Sequence, residues 1–99
     1  MITFVKPIEF VWDKGNQDKN WRKHKVANNE CEEAFTDKNK KIYKDELHSD
    51  GEKRFILLGK TKKRRLLFVA FTQRGKKARV ISARDIYKQK ARKLYEKNA

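Results

Sequence analysis

Four short constellations in this chain could do acid–base chemistry on a charged substrate: Lys23-His24, Glu52-x-Arg54, Thr72-x-Arg74 and Ser82-x-Arg84. Each sets a cation beside a hydroxyl, a carboxylate or an imidazole. The guanidinium fork of arginine suits bidentate contact with phosphate. RNA brings its own nucleophile, the 2′-hydroxyl. A protein acting on it needs a base for that hydroxyl, cations for the charge that develops on phosphate, and an acid for the leaving oxygen. Glu52 or His24 fits the base. Arg54, Arg74 and Arg84 fit the phosphate contacts, and Lys23, His24 or an arginine fits the leaving group. Thr72 and Ser82 supply orienting hydrogen bonds, and Lys76, Lys77 and Arg79 add substrate-binding cations.

Each residue also has a plainer reading. Glu52 can be a surface partner of Arg54, and His24 can lie half-exposed on its helix. Ser82 can cap the last helix with Asp85 at capping-box spacing. Trp21 reads as core ahead of a stacking platform for bases. Other chemistries find less support. Two histidines and the single Cys31 show no ligand spacing, so neither a metal nor another cofactor is expected. No Gly-x-Ser-x-Gly elbow and no Gly-rich phosphate loop is present.

Charge points to a polyanionic partner. Residues 1–50 hold 10 Lys/Arg and 10 Asp/Glu, whereas residues 51–99 hold 17 Lys/Arg against Glu52, Asp85 and Glu96. The whole net charge of +14 therefore sits in the second half. A one-sided field of that size draws nucleic acid to one surface. No apolar run approaches the length of a membrane span, and no basic amphipathic helix pairs with an exposed Trp/Leu face, so no membrane is expected. A lone cysteine fits a reducing cytoplasm. Ninety-nine residues, 37% of them hydrophobic, suffice for a single folded domain.

The elements that must position these groups follow from pattern. RLLFVAF and ARVISARD flank a Gly-bearing turn and read as an antiparallel hairpin. Period-two alternation places Phe68, Ala70, Thr72 and Arg74 on one side of the first strand, and Val80, Ser82 and Arg84 on one side of the second. A bulge between Thr72 and Arg84 would break that parity. Arg54 to Lys60 reads as a strand buried on both faces, Ile8–Trp12 as an edge strand after Pro7, and Ile42-Tyr43 as a brief strand. Asn16 is placed to cap a helix over about Gln17 to Lys25, and Asn28 or Asn29 to cap another. In that second helix Cys31, Ala34 and Phe35 face the core while Glu30, Glu32 and Glu33 face out. His48 to Gly51 reads as a turn. The last helix runs from Asp85, with Tyr87, Ala91, Leu94 and Tyr95 as its apolar stripe. The expected fold is α+β: a small antiparallel sheet with N-terminal helices and a C-terminal helix packed on it.

Four segments together carry a family resemblance: FVWDKGNQDKNWRKHKV, ECEEAF, HSDGEKRFILLGKT and FTQRGKKARVISARD. In that order they resemble the BrnT toxins of bacterial type II toxin–antitoxin pairs, over nearly all of residues 1–99. The marks are Asn20 with Lys23-His24, Glu52-x-Arg54, and the Ile81-Ser82-Ala83-Arg84 end. The resemblance implies a RelE-like fold and a metal-independent endoribonuclease that inhibits translation. It also implies a cognate antitoxin with a ribbon-helix-helix DNA-binding domain, and operator DNA bound only through the toxin–antitoxin complex. It carries the site onto Lys23, His24, Glu52, Arg54, Thr72, Arg74, Ser82 and Arg84. Where the family often has a glutamate before the match to Tyr95-Glu96, this chain has Lys90-Ala91-Arg92. Two rival readings are a non-catalytic nucleic-acid-binding module and a purely structural subunit.

Overall fold

Short runs of Val, Ile, Leu and Phe form strands in the computed structural model, which describes residues 9–46 and 51–97. The elements are β1 (Glu9–Phe10), α1 (Lys19–His24), α2 (Asn28–Thr36), β2 (Lys41–Lys44), β3 (Arg54–Lys60), β4 (Leu66–Arg74), β5 (Lys77–Asp85) and α3 (Gln89–Glu96). They build one sheet in the order β1-β5-β4-β3-β2. The architecture is α+β, as expected, but the sheet is mixed. Strands β2 to β5 pair antiparallel, while β1 joins β5 in parallel. No hairpin links β1 to β5, so nothing forces an antiparallel direction on that pair.

The two sheet faces are covered by different helices. On one face Leu57, Leu67, Val69 and Phe71 pack under Cys31, Ala34 and Phe35 of α2, as the helical spacing predicted. Phe35 meets Phe71 edge-on at 4.9 Å between ring centroids. Gly59 makes the approach of α2 possible, because a Cβ there would lie 2.5 Å from the Ala34 carbonyl oxygen. On the other face Leu58, Leu66 and Ile86 pack against Tyr95 of α3. The Tyr95 hydroxyl donates to Asp37 Oδ2 at 2.6 Å. That carboxylate also accepts from the backbone N–H of Lys60 at 2.8 Å and of Asn39 at 2.9 Å. Strand β3 thus lies between both helices, which explains its unbroken apolar centre.

Strand β5 would be an open edge beyond its short pairing with β1, and α1 closes it. Asn16 Nδ2 donates to Val80 O at 2.9 Å and Lys19 Nζ to Ile81 O at 3.0 Å. Asn20 Oδ1 accepts from the Ala83 N–H at 2.9 Å. Asn16 is therefore a buried edge clamp and caps no helix; α1 starts later, behind Asp18. Trp21, on the outer side of α1, is 54% exposed, so its reading as core is overturned.

Other boundaries shift for local reasons. Helix α2 is preceded by Ala27, and Glu30 reaches back to the Ala27 N–H at 3.0 Å, so neither asparagine is the cap. The three glutamates of α2 do not simply face solvent. Glu30 meets Arg65, Glu32 accepts from Trp12 Nε1 at 2.7 Å, and Glu33 accepts from the Lys62 N–H at 3.0 Å. The last helix begins at Gln89 because the ladder continues through Asp85, and the Ile86 N–H still donates to Leu66 O at 3.2 Å. Ser82 sits inside β5 and cannot cap α3, and Tyr87 stands 81% exposed outside the helix. Most of the expected Ile8–Trp12 strand reduces to β1, with Ile8 and Pro7 outside the described residues. The His48 to Asp50 part of the expected turn also lies outside them.

Candidate active site

Sheet register gathers three arginines of the second half. Arg54, Thr72 and Arg79 are direct partners across β3, β4 and β5. Arg74 pairs with Lys77 on the next rung toward the hairpin, and Ser82 and Arg84 lie opposite Ala70 and Phe68 in the other direction. These side chains share the face that carries α3 at its far end. The β4–β5 turn is two residues long, with Gly75 at φ 62°, a backbone that glycine adopts without strain.

The bulge decides which residues of β5 join this face. Phe71 pairs with Val80 and Ala70 with Ser82, leaving Ile81 as the extra residue. Simple alternation groups Val80 with Ser82 and Arg84, and the structure corrects this. Val80 is wholly buried in the core, and Arg79 takes its place beside Thr72.

Among the described residues, Glu52 holds Arg74 and Asp13 holds Arg79. Arg74 donates to Glu52 through Nε at 2.6 Å and Nη2 at 3.1 Å, so Glu52 does not pair with Arg54 as its plainer reading had it. Those bonds hold the Glu52 carboxyl below its ordinary 4.5; slight burial opposes them, and Thr72 and Arg79 reinforce them. Arg79 donates to Asp13 at 3.1 and 3.2 Å. Asp13 is lowered first by that contact and then by the Gly15 N–H, which donates to it at 2.8 Å. Gly15 lies flat under Arg79: a Cβ there would come within 2.8 Å of Arg79 Nη2. Thr72, only 5% exposed, keeps its hydroxyl beside this cluster without a hydrogen bond of ordinary geometry.

The predicted residues divide into groups. Glu52, Arg54, Thr72, Arg74, Lys77 and Arg79 come together, and Lys76 stands exposed in the adjoining turn. Ser82 and Arg84 lie further along the same face. The Arg84 guanidinium stacks on the Phe68 ring at 4.7 Å. Lys23 and His24 are placed elsewhere. The His24 carbonyl accepts from Arg65 Nη2 at 3.2 Å, and the His24 charge helps lower Asp85. Arg65 and Thr72 are seven residues apart on or beside β4, roughly 23 Å at ~3.3 Å per residue. That span separates His24 from Glu52, so the two candidate bases do not share one site.

Sequence reading missed Asp13 and Arg65. For Asp13 the signal is its Asp-x-Gly spacing, which suits a carboxylate held by a turn N–H. Arg65 was one basic residue in a run of them. It bonds Asp85 at 2.6 and 2.9 Å, Glu30 at 3.1 and 3.2 Å, and the carbonyls of His24 and Lys25. Cys31 offers no nucleophile, since burial and then Glu30 and Glu32 push its thiol up to about 12. Among the described residues no three or more His, Cys, Asp or Glu side chains cluster as metal ligands, and no helix is long and apolar enough to cross a membrane.

Comparison with known families places this geometry in context. A family model described as "Ribonuclease toxin, BrnT, of type II toxin-antitoxin system" matches residues 12–90, a span that includes every residue of the ladder. A search of curated proteins finds no match. The basic ladder, the carboxylates that hold it and the long family match lead to one conclusion: the chain belongs to the BrnT family of ribonuclease toxins, the toxin halves of type II toxin–antitoxin pairs.

Proposed function

We propose that this protein is an endoribonuclease that cleaves RNA without a metal ion and thereby inhibits translation in the cytoplasm. The observation that carries the reading is the rung Arg54–Thr72–Arg79 with the Arg74–Glu52 pair beside it. It sets phosphate donors beside the Glu52 carboxylate on an open sheet face. In the resting protein Arg74 clasps Glu52, and a low-lying carboxylate is a weak base. An RNA phosphate that draws Arg74 to itself releases Glu52, whose carboxyl then rises toward its ordinary value. Glu52 takes the proton of the 2′-hydroxyl, the 2′-oxygen bonds to phosphorus, and the bond to the 5′-oxygen breaks. The 5′-oxygen collects a proton from Lys77, the ammonium opposite Arg74 in register. Arginine stays protonated throughout and serves as the charge clamp. Ser82 and Arg84 contact the RNA further along the face.

The antitoxin partner follows from the family, and we propose for it a ribbon-helix-helix DNA-binding domain, so that operator DNA is bound only through the complex. An acidic antitoxin segment would complement the basic face.

Incubation of a structured RNA with EDTA tests the reading, with wild type beside Arg74→Ala. Wild type should cut and leave 2′,3′-cyclic phosphate ends, and Arg74→Ala should lose activity on the order of 100-fold. Cleavage that needs added metal would overturn the mechanism. RNA retained intact, with or without translating ribosomes, would leave a basic binding module.

A further inference from the structure

Two rungs along β4 from Thr72, the open face ends in a groove of about 690 Å³ between the sheet and the start of α3. Phe68, Ile56 and Ala91 make its apolar floor, and Asp45, Lys88 and Tyr87 stand at its rim. That volume lies within the range of sites for small organic ligands. Over the floor lies Arg84, exposed to solvent, with its guanidinium carbon 4.7 Å from the centroid of the Phe68 ring. Tyr87 is 81% exposed, with a full aromatic ring beside the same opening. A planar cation and an aromatic ring flanking an apolar slot form the surface on which unpaired bases stack.

We propose that this groove is a nucleobase pocket for single-stranded RNA, holding a base that flanks the phosphate on the Thr72 rung. The inference rests on the ribonuclease reading for its substrate class. Continuity selects RNA among possible occupants. Thr72 and Phe68 lie on one strand and one face, about 13 Å apart at ~3.3 Å per residue, so a strand held by its phosphates on the ladder runs into the groove. The rim keeps the base of whichever nucleotide arrives, while Arg84 offers its ring-like face to the base and its N–H edge to the adjoining phosphate.

The experiment is a fluorescence titration with a short 2′-O-methyl oligonucleotide, which cannot be cleaved, carrying one 2-aminopurine. Wild type should quench the fluorophore by stacking. Tyr87→Ala should weaken binding on the order of tenfold. Arg84→Lys keeps the charge and loses the flat face, so it should lose the quench while keeping the salt dependence of binding. Both changes are at exposed side chains, so folding should survive. Trp21→Ala removes an exposed aromatic ring outside the groove and should leave the quench intact. Loss of quench in Trp21→Ala alone would move the base to α1 and overturn the proposal. Wild-type behaviour of both groove variants would also overturn it, and no quench in wild type would leave the groove to a protein partner. Because the probe resists cleavage, a positive result stands even if the protein proves not to cut RNA.

Discussion

Arg74 reaches across to Glu52 with two hydrogen bonds, 2.6 and 3.1 Å long, from the last residue of β4. The carboxylate is thus held ionised and the guanidinium occupied in the same contact. The acid limb of kcat/KM reports the free enzyme, and that of kcat reports the bound complex. In the free enzyme the Glu52 limb should fall below the ordinary value of 4.5, and in the complex it should move up as phosphate takes Arg74. Separate limbs in the two profiles would support release of Glu52 by substrate. Coincident limbs would show that Arg74 stays on Glu52 when RNA binds.

Arg65 ties the α1–α2 junction to the sheet through Asp85, Glu30 and two carbonyls. Arg65→Ala should cost about 2 kcal/mol, because it strands two partly buried carboxylates. That corresponds to a drop of about 10 °C in Tm. Asp85 is lowered first by the bonds from Arg65, so its contribution is present above its unfolded value of 3.8 and fades as pH falls through the folded one. Thermal melts across the acid range should therefore show a steeper loss of stability in wild type than in Arg65→Ala. Parallel curves would remove Arg65 from the acid response.

Gly59 lies under the carbonyl of Ala34, with 2.5 Å between that oxygen and a Cβ built on the glycine. The obstacle is backbone, which cannot swing aside as a flexible side chain does. Gly59→Ala should cost about 2 kcal/mol by forcing α2 off β3. Urea unfolding should show a lower midpoint at unchanged slope. An unchanged midpoint would mean that α2 shifts freely.

Tyr95 joins α3 to the loop before β2 through its bond to Asp37. Burial, and then the bond and charge of Asp37, push the phenol up. Its contribution is therefore complete below the ordinary value of 10.0 and is lost as pH rises above it. Burial alone would push Asp37 up, but the bonds from Tyr95, Lys60 and Asn39 outweigh it and hold it low. Tyr95→Phe should lose about 1.5 kcal/mol near neutrality and flatten the alkaline decline in stability. A variant that declines in base like wild type would assign that decline to other groups.

Patterning made the fold class legible, and β3 runs from Arg54 to Lys60 as its apolar run indicates. The core side of α2 was equally plain, since Cys31, Ala34 and Phe35 are spaced for one face. The ladder was partly legible. Alternation put Thr72 and Arg74 together, but only pairing across strands could bring Arg79 beside them and separate His24 from Glu52. The capping readings of Asn16 and Ser82 fail for a shared reason. Both have capping chemistry, and tertiary contacts at the β5 edge and inside the sheet used their positions otherwise. Trp21 is large and apolar, but α1 is held to the sheet by Lys19 and Asn20, with Asn16 in the turn before it, which leaves its indole outside.

The extra residue at Ile81 makes β5 a counted strand. On its hairpin side the odd positions Lys77 and Arg79 face the side that carries α3, and past the bulge the even positions Ser82 and Arg84 do. Pairing all nine residues without the bulge would turn one end of the strand over, exchanging arginine for valine or alanine in the core, and deletion of Ile81 itself is the length change that keeps both ends facing as they do. Such a strand tolerates substitution at many points but length change at almost none, so natural or engineered variants of this protein should differ in its composition long before they differ in its count.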